Sequence, residues 1–405
     1  MAEKVFSRVK TPTDSYEILI TAFIEQANLF LNSDPQMSNL WRAVIETSGE
    51  EPDFDSLIYD FALARGVNTD ERRLGGINPS EAAGIFRSTL QADFLANEPE
   101  FLANDGSHEQ FKGFIKRLLG DELRLETFET NFLTRRVQTT HFRRAALMDL
   151  YLQARNYAAG NKLRVLVIGA GTLLLEKQIL YKHYPEFAYE PVHLSPDRDS
   201  EILEDKINND LLRRPADEYI DFILATDLLD PLDPVTRSWA MACYRLGELT
   251  SRRFMDRIRR YNAIDPPNNL RYGSANLTYP QGIEEFRAEY GTEPYDVILF
   301  PTVLHQNNYH EASAMMSFAD QHTTAEATVA AIDFAYTKGG RMRFFSDWHQ
   351  NDRYRVLEKG AHSSGRGWHE QNRSRDSRCE ELSPWLGQTL VSGNLVPTAE
   401  VLLSI

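Results

Sequence analysis

The chain has 405 residues, of which 42% are hydrophobic and 11% aromatic. That is enough apolar material for two or three packed domains and excludes global disorder. With 44 Lys and Arg against 59 Asp and Glu, the net charge is −15, which excludes a generic nucleic-acid binder, because phosphate neutralisation needs an excess of clustered cations. The two cysteines, Cys243 and Cys379, cannot build a disulfide framework and fit a reducing compartment. The first residues lack a basic stretch leading into an apolar run, and no stretch approaches the roughly 20 apolar residues of a membrane span. These features predict a soluble, cytoplasmic protein with no membrane span and no nucleic-acid partner.

Residues 1–160 read as helical. Tyr16–Leu31, Leu57–Ala64, Ala82–Leu95 and Phe111–Leu119 carry apolar residues at helical spacing. Ser33-Asp34-Pro35, Gly49 to Pro52 and Gly75 to Pro79 punctuate them. We divide this part into a helical region over 1–110, of no readable role, and a helical subdomain over 111–160.

The pattern changes at Leu163-Arg-Val-Leu-Val-Ile168, a short apolar, β-branched run that ends at Gly169-Ala170-Gly171-Thr172 and is followed by a helical Leu173–Tyr184. Similar runs follow at Ile220–Thr226, Asp296–Phe300 and Arg341–Phe345. Helical stretches over Thr236–Tyr261 and Glu311–Tyr336 separate them. Pro191–Ser195 and Leu270–Ser274 are weaker strands, and Gln388–Val391 and Ala399–Ser404 fit closing antiparallel strands. Residues 351–383, polar and rich in Arg, Gly and Ser, read as a long surface loop. Alternating strands and helices predict an α/β domain over 161–405, a doubly wound and mostly parallel sheet preceded by the all-helical N-terminal region.

Gly169 and Gly171, after a strand and before a helix, give a tight turn that lets a ligand approach the backbone. The dinucleotide fingerprint asks for a third glycine where this chain has Leu174. A cofactor without pyrophosphate, such as S-adenosylmethionine, needs the turn and not the full fingerprint. Asp227 ends the next run, where a carboxylate faces the crevice of an open sheet and can accept two ribose hydroxyls; its plain alternative is a helix cap. Asn276 offers a donor and an acceptor to an adenine edge, and Leu277 can cover its face, although Asn is ordinary in turns. His305 follows the run ending at Phe300-Pro301-Thr302 and carries an imidazole that titrates near neutrality.

These features, in this order, resemble the chemotaxis receptor methyltransferases, which are protein-glutamate O-methyltransferases dependent on S-adenosylmethionine. Thr139-Thr-His-Phe-Arg143 is similar to that family's Thr-x-Phe-Phe-Arg motif. Gly169–Thr172 takes the place of its glycine-rich turn, Ile223–Asp227 of its second-strand motif, Asn276-Leu277 of its Asn-Leu pair, and Tyr295–Leu304 of its fourth strand and following turn. The resemblance spans roughly residues 115–350. It implies a class I methyltransferase-like sheet with Arg143 on the cofactor's carboxylate, Asp227 on its ribose, and Asn276 and Leu277 on its adenine.

The chain also departs from that pattern. The family's turn continues Thr-Gly-Glu-Glu, where this chain has Thr172-Leu-Leu-Leu-Glu176, so an acidic contact is lost or moved. The family's Cys-Arg-Asn after the fourth strand is replaced by Phe300-Pro301-Thr302, and an aromatic pair by His305-Gln306. Val192–Asp197 offers a second register with His193 near the ribose; the spacing to Asn276 favours Asp227. His305 is the candidate catalytic base, needed for a hydroxyl or amine acceptor and not for a carboxylate. His310, His349, His362 and His369 show no metal-ligand spacing. Cys243 reads as core. Cys379, without a base partner, and the Arg366, Arg373, Arg375 and Arg378 cluster read as surface. The expected activity is methyl transfer from S-adenosylmethionine to a small-molecule or protein acceptor; the alternative is a non-catalytic module that keeps the fold.

Overall fold

The computed structural model describes residues 12–67, 77, 79–98, 100–103, 106–135, 142–189, 200–301, 303, 307, 309–335 and 354–361. The chain forms two compact units, Met1–Thr139 with Pro234–Arg260, and Thr140–Asp233 with Tyr261–Ile405.

The first unit is helical. Proline opens α1 (Pro12–Phe30), α2 (Pro35–Glu50), α3 (Pro52–Ala64) and α4 (Pro79–Asn97), where its fixed φ suits the first turn and its missing N–H costs no bond. Asp34 caps α2 by accepting from the Met37 N–H. α5 (His108–Leu119) packs on α2, and α6 (Glu122–Thr134) on α4. These two helices therefore belong with the N-terminal bundle, not with a separate 111–160 subdomain. The core is aromatic: Phe23, Trp41, Phe54, Phe61, Phe86 and Phe128 are almost fully buried. Most of the Phe86 contacts are edge-on or tilted, the arrangement ring quadrupoles favour.

Residues 234–260 bring α10 (Pro234–Ala242), α11 (Leu246–Leu249) and most of α12 (Arg252–Ala263) into this unit. Buried Arg87 donates to the Cys243 carbonyl at 2.6 Å and Gln91 to the Tyr244 carbonyl at 3.1 Å. The buried carbonyls just past the end of α10 thus find donors on α4. Cys243 is buried, as the sequence predicts.

The second unit is a parallel sheet in the order β3-β2-β1-β4-β5-β6, formed by β1 (Leu163–Ile168), β2 (Ile220–Asp227), β3 (Leu270–Ser274), β4 (Tyr295–Pro301), β5 (Thr323–Ala335) and β6 (Tyr354–Ala361). All five pairings are parallel. Side chains alternate between two cores. Val165 and Val167 join Ile223, Ala225, Val297 and Leu299 beneath α7 (Phe142–Ala159), α8 (Leu174–Tyr181) and α9 (Ser200–Asn209). Leu166 and Ile168 join Leu224, Ile298 and Phe300 beneath α13 (Pro280–Tyr290) and α14 (Tyr309–Gln321). Helices on both faces explain why the strands read as continuous apolar runs.

Two sequence expectations are corrected. The stretch Glu311–Tyr336, expected to be helical throughout, is helical only to Gln321, and Thr323–Ala335 forms β5. Five alanines fit a helix, but Thr, Val, Ile and Phe are residue types that strands favour, and the backbone from Thr323 to Ile332 pairs with β4. Within the expected 351–383 loop, residues 354–361 pair with β5 as β6. Among the described strands it stands last in the sheet order. The expected strands Pro191–Ser195, Arg341–Phe345, Gln388–Val391 and Ala399–Ser404 lie outside the described residues. No helix among the described residues is long and apolar enough to cross a membrane.

Candidate functional site

The sheet order reverses between β1 and β4, so the crossovers leaving these two strands diverge and open a crevice at their carboxyl ends. The glycine turn leaves β1 at this point. Gly169 and Ala170 N–H groups both donate to the Thr226 carbonyl, at 2.8 and 3.1 Å, which ties the turn to the end of β2. The Gly171 N–H donates to Asp227 Oδ2 at 2.7 Å, and the Leu228 N–H to Asp227 Oδ1 at 2.7 Å. The Asp227 carbonyl accepts from the Ala275 N–H at 2.8 Å, which sets the turn carrying Asn276 beside it.

Three residues of the turn have left-handed backbone: Gly169 at φ +85°, Gly171 at +60° and Leu173 at +63°. Glycine takes this conformation freely, whereas a leucine is strained by about 1–2 kcal/mol. Leu173 is the sole non-glycine residue of positive φ among the described residues, and its side chain is fully buried under the sheet. The two glycines have different neighbours. A Cβ on Gly169 would meet the Val303 side chain at 2.6 Å, so the segment after β4 closes directly on the turn; one on Gly171 would meet nothing within 4 Å. Gly169→Ala is therefore expected to destabilise by about 2–4 kcal/mol, from strained φ and overpacking together. Gly171→Ala should cost only about 1 kcal/mol, from φ alone. Urea unfolding of the two variants checks the difference.

Asp227 is half-buried, and shielding from water pushes its carboxyl up to about 6 against the opposing pull of the two N–H donors. A carboxylate has about four acceptor positions, so the two N–H bonds leave positions for further donors. Asn276 Oδ1 accepts from the Thr278 N–H at 3.1 Å and from its hydroxyl at 2.6 Å. The acceptor half of this amide thus serves its own turn, as Asn does in ordinary turns. Leu277 is buried in the core beneath α13 and α14. The structure therefore brings Gly169, Gly171, Asp227 and the Asn276 turn to one end of the sheet, and places the Leu277 side chain in the interior. The side chain of Arg143, and all of His193 and His305, lie outside the described residues.

One group at this end of the sheet, which the sequence offers only as the residue ending Thr172–Glu176, is buried without compensation. Glu176, in the first turn of α8, is fully buried, and neither carboxylate oxygen has a hydrogen-bond partner among the described residues. Burial pushes it up to about 8; its own N–H opposes this, and the charge of Asp227 adds to it. A Glu early in a helix looks like ordinary dipole complementation, and only its burial marks it as different. The sign of its effect on stability follows. From its ordinary 4.5 up to about 8, the folded chain keeps a proton that the unfolded chain has lost, so stability falls as pH rises through that window. Asp227, raised from 3.8 to about 6, adds to the lower part. Glu176→Gln is expected to flatten the decline above about pH 6 by a few kcal/mol at most, as measured by urea unfolding across that range.

Among the described residues no three His, Cys, Asp or Glu side chains gather as a metal site. Set against family models, curated proteins and solved structures, the chain matches none of them.

Proposed function

We propose that the chain is an S-adenosylmethionine-dependent methyltransferase of class I type, acting on a carboxylate, hydroxyl or amine of a small molecule or protein. The observation that carries this reading is the link from the Gly171 N–H to the strand-end carboxylate of Asp227, with open space over Gly171. An adenosine ribose placed there would give its two hydroxyls to the remaining acceptor positions of Asp227, with no side chain on Gly171 in the way. Leu173 lends support. The methyltransferases that the sequence resembles carry glycine at this place, and here the backbone keeps a left-handed conformation although the residue is leucine.

The cofactor would supply an electrophilic methyl group on a sulfonium. The protein's part is to hold acceptor and methyl close and in line. After β4, Val303 presses on Gly169, and the proposed base stands two positions further along the sequence. This is His305, which lies outside the described residues and is proposed as the base for an acceptor with a proton to lose.

The strand order 3-2-1-4-5-6 favours a second reading, since dinucleotide-binding sheets share it. Leu174 argues against it. It is buried at the first position of α8, where the dinucleotide fingerprint puts the glycine that lets helix and strand pack closely. A thermal-unfolding series separates the two. At about 100 times its dissociation constant, S-adenosylmethionine should stabilise the fold by roughly 2.7 kcal/mol and NAD should not. Stabilisation by NAD alone would reverse the assignment.

A further inference from the structure

Charge in the helical unit is sorted by helix. Five of the nine residues 252–260 of α12 are arginine, and Asp256 is the acid among them. Arg253, Arg257 and Arg260 recur at i, i+4 and i+7, and Arg252 and Arg259 at i and i+7, so all five fall on one side of the helix. Arg252, Arg253, Arg259 and Arg260 are exposed. Asp256 lies 3.7 Å from Arg252 and 3.2 Å from Arg259, and its one charge offsets only one of theirs. The other side of the helix is spent on the interior: Ile258 is buried, and the Phe254 ring stands edge-on to Tyr244 at 4.8 Å.

α6 is the converse. Its cation, Arg124, turns inward onto Asp93 at 3.0 Å and Glu98 at 2.9 Å. Outward it exposes Glu122, Glu126 and Glu129, again at i, i+4 and i+7 and so on one side. None of the three pairs with a cation among the described residues. Leu123 and Leu133 stand with them, 73% and 48% exposed. Both faces belong to the helical unit, and the spacing of one repeats the spacing of the other.

We propose that the arginine face of α12 docks on the α6 face of a second copy of this chain. A guanidinium takes a carboxylate with two parallel N–H bonds, and the shared spacing lets several such pairs form in one register. The contact also covers Leu123 and Leu133, which a lone chain leaves in water. The net charge of −15 disfavours an extended polyanion, whose charge runs on past the cations; the α6 face is as short as the α12 face. Insertion into a membrane surface needs an apolar side, and that of α12 already packs inside. Two copies related by a two-fold axis make the contact twice.

Sedimentation velocity of the full chain tests this. Over about 1–100 µM at about 50 mM salt the wild type should associate, and about 0.3 M salt should weaken the association roughly tenfold, as screening predicts for exposed charges. Glu126→Arg with Glu129→Arg leaves both faces basic, and Arg253→Glu with Arg260→Glu weakens the basic face, so each double variant alone should sediment as a single chain. An equimolar mixture of the two should associate again, because each supplies the face that the other needs; this recovery also shows that neither variant is misfolded. A wild type that stays a single chain throughout overturns the proposal. So does association that survives in both variants, or a mixture that does not recover. Wild-type single chains that bind phosphatidylserine vesicles or polyuridylate, and lose that binding in Arg253→Glu with Arg260→Glu, overturn it as well and give the face to a polyanion.

Discussion

Lys182→Met should destabilise the α/β unit by about 3–5 kcal/mol, the cost of leaving a buried charge without its partner. Lys182 and Asp149 are both fully buried and 2.5 Å apart. The Lys182 ammonium also donates to the Leu211 carbonyl at 3.2 Å and to the Tyr219 hydroxyl at 2.9 Å, and Tyr219 and Gln153 in turn donate to Asp149. Burial pulls the Lys182 ammonium down while Asp149 holds it up, and the Tyr219 hydroxyl is held well above its ordinary range. The network joins α7, the end of α8 and the entry to β2, so it fixes the framework on which the glycine turn stands. Adding Asp149→Leu should restore part of the loss, because the orphaned carboxylate goes with it. Urea unfolding of the wild type, both single variants and the double variant gives the coupling. A Lys182→Met loss below about 1 kcal/mol, the ordinary size of a surface pair, would mean the pair is wet.

The second large effect concerns Asp227. Asp227→Asn keeps an acceptor for one of the two N–H groups that it satisfies but loses the charge and one acceptor. It should weaken S-adenosylmethionine binding by about 1–3 kcal/mol, roughly 5- to 150-fold, the cost of leaving hydroxyls unpaired in a shielded site. Asp227→Ala should cost binding more, and stability as well, since the Gly171 and Leu228 N–H groups then lose their acceptor. Comparing the two variants separates recognition from scaffolding. Full affinity in Asp227→Asn would place the ribose elsewhere.

The strands and the glycine turn were legible because a parallel strand buried on both faces is an unbroken β-branched run and a left-handed turn calls for glycine. Asp227 was legible because a carboxylate ending such a run sits at the ligand-facing edge. β5 was not, because its alanines fit a helix as well as a strand, and only the pairing with β4 decides. The return of residues 234–260 to the helical unit was hidden too. It depends on Arg87 and Gln91, more than 150 positions earlier, meeting the Cys243 and Tyr244 carbonyls, and no local pattern encodes that meeting. Leu277 read only as a cover for adenine, and its burial beneath α13 and α14 depends on packing that no local pattern encodes. Glu176 stood in the sequence only as the end of the Thr172–Glu176 run, because its burial depends on packing that no local pattern encodes.

The central claim is that the end of the sheet formed by Gly169, Gly171 and Asp227 binds S-adenosylmethionine. Calorimetric titration of the full chain with S-adenosylmethionine, with NAD as the control, tests it most directly. The account predicts saturable 1:1 binding of S-adenosylmethionine, weakened in Asp227→Asn, and no heat with NAD. Absence of S-adenosylmethionine binding to a folded chain, or NAD binding that Asp227→Asn weakens, would contradict it.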